Sequence, residues 1–151
     1  VYKRQGIDVP DETVKNAMDY IRRSTGKDGS VAYSGNFSGM GGSINLTAIG
    51  ALTGAISRSK DSEAFQNCLT RLRANLNNNG NSGHPEYFAY YMAQALFQSD
   101  YSAWQTWNAG RIKEMRARQT PSGSFEESPY MTGMYLLSLA LNYRFLPIYE
   151  R

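Results

Sequence analysis

The residues able to do chemistry in this chain are few, and most stand alone. Asp8, Asp11, Asp19, Asp28, Asp61 and Asp100 are isolated from one another. Three acids matter by position: Glu86 in "HPEYFAYY", and the neighbours Glu126 and Glu127 in "SFEESPY". Each lies near the start of an apolar helical stretch. Two carboxyls facing one cavity would suit acid–base cleavage of a glycoside. A carboxylate at a helix start also simply complements the helix dipole. No pattern marks a nucleophile, and the catalytic residues, if any, are unknown from sequence. With one Cys and one His in the chain, Cys68 and His84 fall short of the four ligands of a structural zinc site. No metal and no cofactor is expected. Cys68 lies in the stripe Phe65, Cys68, Leu69, Leu72, Leu76 and reads as a small buried hydrophobe.

The aromatic residues are the stronger signal. There are 11 Tyr in 151 residues, and three fall close together. Tyr87, Tyr90, Tyr91, Gln94 and Phe97 occupy one broad side of a predicted helix. Such a side can line a pocket for a polyprenyl chain or a sugar. It can equally pack a core. Trp104 and Trp107, spaced by three, read as core anchors.

Six predicted helices must position these groups: about 11–24, 43–58, 61–76, 85–98, 101–118 and 129–143. The first, third and fifth are amphipathic, and the second, fourth and sixth are apolar or small nearly all round. The amphipathic set can face solvent, whereas the apolar set needs cover on several sides. Two layers meet both demands, with the even helices inside and more buried. The even helices also align: Thr47–Leu52 with Tyr91–Leu96 and Thr132–Leu137, at offsets of 44 and 41 residues. A helix pair recurring at roughly 40–47 residues is the signature of a helical repeat array.

The links carry a second pattern. "RQTPSGSF", residues 118–125, puts Gln119 four residues before Gly123 and Phe125 two after it. Gln119 is expected to bond the last free carbonyls of the preceding helix, Gly123 to turn the chain, and Phe125 to pack between helices. "TGKDGSVAY" is a degenerate copy, with Thr25, Gly29 and Val31 at the matching places. "NNNGNSGHPEY" keeps only Gly and Asn. "SGNFSGMGGS", residues 34–43, lacks the Lys-Ser/Thr ending of a phosphate-binding loop and follows no strand, so it reads as a flexible loop.

Gln-x-x-x-Gly-x-aromatic after an outer helix resembles the QW repeat of squalene–hopene and oxidosqualene cyclases. The wider pattern, with "GIDVP", "DG", "YYMAQAL" and "YRFLPIYER", resembles bacterial prenyltransferase and squalene-oxidase repeat proteins. The resemblance implies an all-α, α/α toroid fold, of which residues 1–151 supply three hairpins in one domain, about half a ring. Phe125 stands where the repeat usually has Trp. The acidic Asp-rich motif of the class II cyclases is missing, as are the zinc ligands of protein prenyltransferases and lanthionine-synthetase-like proteins. The reading is therefore a non-catalytic binding or interaction module with an aromatic-lined cavity. Alternatives are part of an enzyme acting on an isoprenoid substrate and a carbohydrate-active toroid.

The remaining bounds are broad. A net charge of +3, with Lys and Arg scattered, argues against nucleic-acid binding. No apolar run reaches the roughly 18–20 residues of a membrane span. The start lacks Met, and Gly6 followed by Pro10 resembles a helix exit, so a missing N-terminal part is expected. A half ring leaves both ends uncovered and "RFLPIYER" is apolar for a tail, so a homodimer is the other expectation. Localisation stays open.

Overall fold

A computed structural model describes residues 6–34, 42–77 and 83–143. Among them are six α-helices: α1 Asp11–Ser24, α2 Ile44–Ile56, α3 Glu63–Arg73, α4 Pro85–Ser99, α5 Tyr101–Arg118 and α6 Pro129–Leu139. A 3-10 turn, Ala140–Tyr143, extends α6. The described residues form no strand; Thr25 and Val31 make an isolated antiparallel bridge. None of the described helices is long and apolar enough to cross a membrane.

Helix starts follow from local chemistry. The side chains of Ser43, Ser62, Asp100 and Ser128 accept from the backbone N–H groups of Leu46, Phe65, Ala103 and Met131. These bonds satisfy donors that the first helical turn leaves free. Pro85 and Pro129 open α4 and α6, where a missing N–H costs nothing. Asp100 alone joins α4 to α5, ending one helix and capping the next. Its carboxylate also meets Arg73 of α3 at 2.7 Å.

α4 is the centre of the fold, packing on α2, α5 and α6, while α2 also takes α3 and α1. Small residues allow the closest of these approaches. A Cβ on Gly54 of α2 would stand 2.8 Å from the Phe65 ring of α3. The main core gathers Leu52, Phe65, Leu72, Phe88, Met92 and Trp107 with their neighbours. A smaller cluster joins α4, α5 and α6 through Ala89, Met115, Phe125 and Tyr135. As the sequence indicates, Cys68, Trp104 and Trp107 are buried.

The burial pattern departs from expectation at one place. α2 and α4 are buried along most of their length, but α6 buries only Tyr135 and Ser138. Leu136 is 52% exposed and Leu137 37%. An all-apolar helix needs neighbours on several sides, and among the described residues the main helix partners of α6 are α4 and α5. α1 is under-covered too: Val14, Met18 and Ile21 are half-buried and Ala17 is exposed.

The two links that carry the Gly pattern share a hydrogen-bond register. Gly26 N–H donates to Ser30 O and Gly29 N–H to Gly26 O; in the later link Thr120 N–H donates to Ser124 O and Gly123 N–H to Thr120 O. Gly29 and Gly123 have φ of +77° and +86°, the left-handed region open to glycine. In each link a Thr of the following helix reaches the loop backbone. Thr47 Oγ1 donates to Gly29 O at 3.0 Å, and Thr132 Oγ1 accepts from Phe125 N–H at 2.9 Å.

Candidate functional site

The tyrosine group is built by the helical period of α4. Tyr87, Tyr91 and Gln94, spaced by four and three, share one face, and Tyr90 flanks it. The Tyr91 ring centre lies 4.9 Å from those of both Tyr87 and Tyr90, tilted on one and edge-on to the other. Tyr87 is exposed, and Tyr90 and Tyr91 are half-buried. Burial pushes the Tyr91 phenol well above the ordinary range, with further upward pressure from its hydrogen bond to Tyr87 and from the phenols around it. The Tyr91 phenol is thus neutral at physiological pH, and the three rings carry hydroxyl donors and acceptors.

Gln94 stands one turn further along the same face. It is 1% exposed, and neither Nε2 nor Oε1 has a hydrogen-bond partner. Helical side chains lean toward the helix N-terminus, which carries this amide toward Tyr90 and Tyr91. Phe97, expected on the same side, is elsewhere. It packs in the core against Trp104 and Tyr101, with ring centres 5.1 and 5.9 Å away. Three residues beyond Gln94, it is turned about 60° further around the helix, toward α5.

Glu86 occupies a different flank of the first turn of α4. It is 4% exposed, with His84 Nδ1 at 3.6 Å. Tyr130, in the first turn of α6, joins this group: desolvation first, then the charge of Glu86 and the nearby Tyr87, raise its phenol. Sequence reasoning missed Tyr130. The signal was the proline that opens both α4 and α6, which places these residues in matching first turns. Glu126 and Glu127 do not complete an acid pair with Glu86 as free carboxylates. Arg118 binds Glu126 at 2.8 Å, and Glu127 accepts from Ser122 Oγ at 3.1 Å. Both acids have left-handed backbone, φ 53° and 50°.

The Gln-Gly-aromatic motif divides its work differently from expectation. Gln119 Nε2 donates to Gly123 O at 2.8 Å, closing its own loop instead of capping α5. Gln119 has already left the helix with extended backbone, so its side chain points along the loop. The shorter Thr25 does reach back, donating to Ile21 O at 2.7 Å. Phe125 is 3% exposed and its ring lies 4.8 Å from that of Tyr135. Gly123 supplies the left-handed turn between Gln119 and Phe125.

A hollow of 160 Å³ opens between α1, α2 and α3, lined by Met18, Ile21, Gly50, Gly54 and Phe65 among others. None of the tyrosines lines it. No three His, Cys, Asp or Glu among the described residues are placed to hold a metal ion. The segments 35–41 and 144–151, which include most of "SGNFSGMGGS" and the apolar tail, lie outside the described residues. Comparison with protein-family models, with curated proteins and with solved structures returns no match to this chain.

Proposed function

We propose that this domain is a non-catalytic binding module, three helical hairpins of an α/α toroid, whose α4 face of Tyr87, Tyr90, Tyr91 and Gln94 receives a ligand. The shared hydrogen-bond register of the two Gly-bearing links supports the repeat. The observation that carries the binding reading is the Gln94 amide, which is buried with donor and acceptor both unpaired. A buried amide in that state costs about 1–3 kcal/mol that a Leu would not. A ligand group able to give and accept a hydrogen bond recovers this cost. Rings with hydroxyls beside such an amide suit a sugar better than a bare hydrocarbon chain.

The test is Gln94→Leu, with titration calorimetry against neutral oligosaccharides and, in parallel, a short polyprenyl phosphate. The expected result is wild-type binding of an oligosaccharide, lost in a variant that is equally or more stable. Binding unchanged in Gln94→Leu would overturn the reading, as would a variant that loses stability, since the amide would then be serving the fold. Preference for the polyprenyl phosphate would move the site to the isoprenoid class.

A further inference from the structure

We propose that the first turns of α4 and α6 hold an organic ammonium ion, with the Glu86 carboxylate as its counter-charge and the rings of Tyr87, Tyr91 and Tyr130 as its walls. A helix start alone does not ask for such a group. Four acids stand in first turns of the described helices: Asp11 and Glu12 of α1, Glu63 of α3 and Glu86 of α4. The first three are exposed, and only Glu86 is buried. An exposed carboxylate already complements the helix dipole, so the dipole does not require the burial. Taking a carboxylate out of water is costly unless a positive group meets it. Among the described residues no Lys or Arg lies within ion-pair distance of Glu86. His84 Nδ1, at 3.6 Å, belongs to a side chain that is largely exposed.

The surroundings are aromatic and carry an acceptor to spare. The Tyr87 and Tyr91 rings lie 4.9 Å apart and are inclined at 55°, which makes a corner of two ring faces. Tyr130 joins them from α6, which packs on α4. Its phenol is raised by burial first, then by the charge of Glu86 and by Tyr87, and it in turn raises Tyr91. Deeper in the same seam, Ala89, one turn on from Glu86, packs with Tyr135 of α6. The Tyr135 ring is buried, and its hydroxyl has no hydrogen-bond partner. Helical side chains lean toward the helix N-terminus, which carries this hydroxyl toward the turn of Tyr130. Burial raises the Tyr135 phenol, Arg118 opposes that rise, and Glu86 is first among the acids that add to it. A buried carboxylate and an orphan hydroxyl thus share one end of the α4–α6 seam. Arg118 itself is bound to Glu126 at 2.8 Å. A cation over ring faces is attracted by their negative centres, and an ammonium that keeps an N–H can also donate it to the carboxylate or to the hydroxyl. Tyr87 and Tyr130 are exposed, so the group borders solvent. The site shares Tyr87 and Tyr91 with the sugar-binding face proposed above but does not depend on Gln94.

Titration calorimetry on the full chain at neutral pH tests it, with choline, dimethylethanolamine and the uncharged isostere of choline, 3,3-dimethylbutanol. Both cations are expected to bind, and the isostere to bind at least about tenfold more weakly. Dimethylethanolamine, which keeps an N–H, is expected to bind more tightly than choline, and Tyr135→Phe to remove that advantage. Glu86→Gln, which keeps the shape of the side chain, should weaken both cations by about tenfold with unchanged circular dichroism. Equal binding of choline and its isostere by wild type would overturn the proposal, and this comparison needs no variant to fold. Cation affinities that survive Glu86→Gln, or a wild-type chain that binds neither cation, would overturn it as well. So would dimethylethanolamine binding indifferent to Tyr135→Phe, since the orphan hydroxyl would then play no part. Oligosaccharide binding without any ammonium binding would sink this site and leave the sugar reading standing, and the converse result would do the opposite.

Discussion

Replacing Phe125 by Ala removes the side chain that ties the α5–α6 link to three helices. The ring is 3% exposed and belongs to a cluster with Ala89 of α4, Met115 of α5 and Tyr135 of α6. Truncating a buried Phe costs about 3–5 kcal/mol, part of which is the cavity left behind. Of that, about 0.5–1.5 kcal/mol belongs to the ring pair with Tyr135. The cluster is small and lies beside the exposed face of α6, so it can partly collapse, which favours the lower end, about 3 kcal/mol. For a chain of this size that lowers Tm by about 10 °C. Gln119→Ala removes one exposed hydrogen bond within the loop and should cost only about 0.5 kcal/mol. Urea melts followed by circular dichroism, with equal slopes for all variants, separate the two effects. If Phe125→Ala costs no more than Gln119→Ala, the aromatic residue is not what clips this link to the helices, and the reasoning fails.

Three further outcomes follow, one from a helix junction and two from glycines inside helices. Asp100 is held below the ordinary carboxylate range first by the Ala103 N–H and then by Arg73. Because the folded carboxyl titrates below its unfolded value, its contribution is complete above that range and fades as pH falls through the depressed value. Asp100→Ala should cost about 1 kcal/mol at neutral pH and progressively less in acid, measured by melts at several pH values. A cost independent of pH would refute the charged cap. Gly54→Val should destabilise by about 2 kcal/mol through the Phe65 ring. Gly110→Ala, with open space at that site of α5, should stabilise by up to about 1 kcal/mol.

Much of the fold was legible because its signals are local. Pro85, Pro129, Ser128 and Asp100 mark helix starts through backbone groups within three residues, and those boundaries fall where the sequence places them. The exposure of α6 was not legible in the helix itself. An apolar sequence such as Tyr130–Leu139 states a demand for cover, while the supply depends on which helices follow. The partner of Gln119 was unreadable for a related reason: a long side chain at a helix exit reaches two sets of carbonyls, and the backbone angle at the exit decides between them. Tyr87, Tyr91 and Gln94 were readable as one face from spacing. Phe97 was not, since a broad arc of the wheel spans two neighbours. Tyr130 joins the group only through the packing of α6 on α4.

The placement of the two tryptophans fixes what light can report about this molecule. Trp104 and Trp107 lie one turn apart in α5, and their ring partners Phe97, Tyr101 and Phe88 all belong to α4 or α5. Indole emission therefore watches the main core where α5 packs on α4. It reports nothing directly from α1, whose apolar stripe is half covered, or from the exposed side of α6. Circular dichroism sums over every helix. Where the two signals change together on denaturation, the edges and the centre unfold as one unit. Where ellipticity falls first and indole emission holds, the edge helices have frayed from a core that is still intact. The native chain thus carries its own reporter of its centre, with no label added.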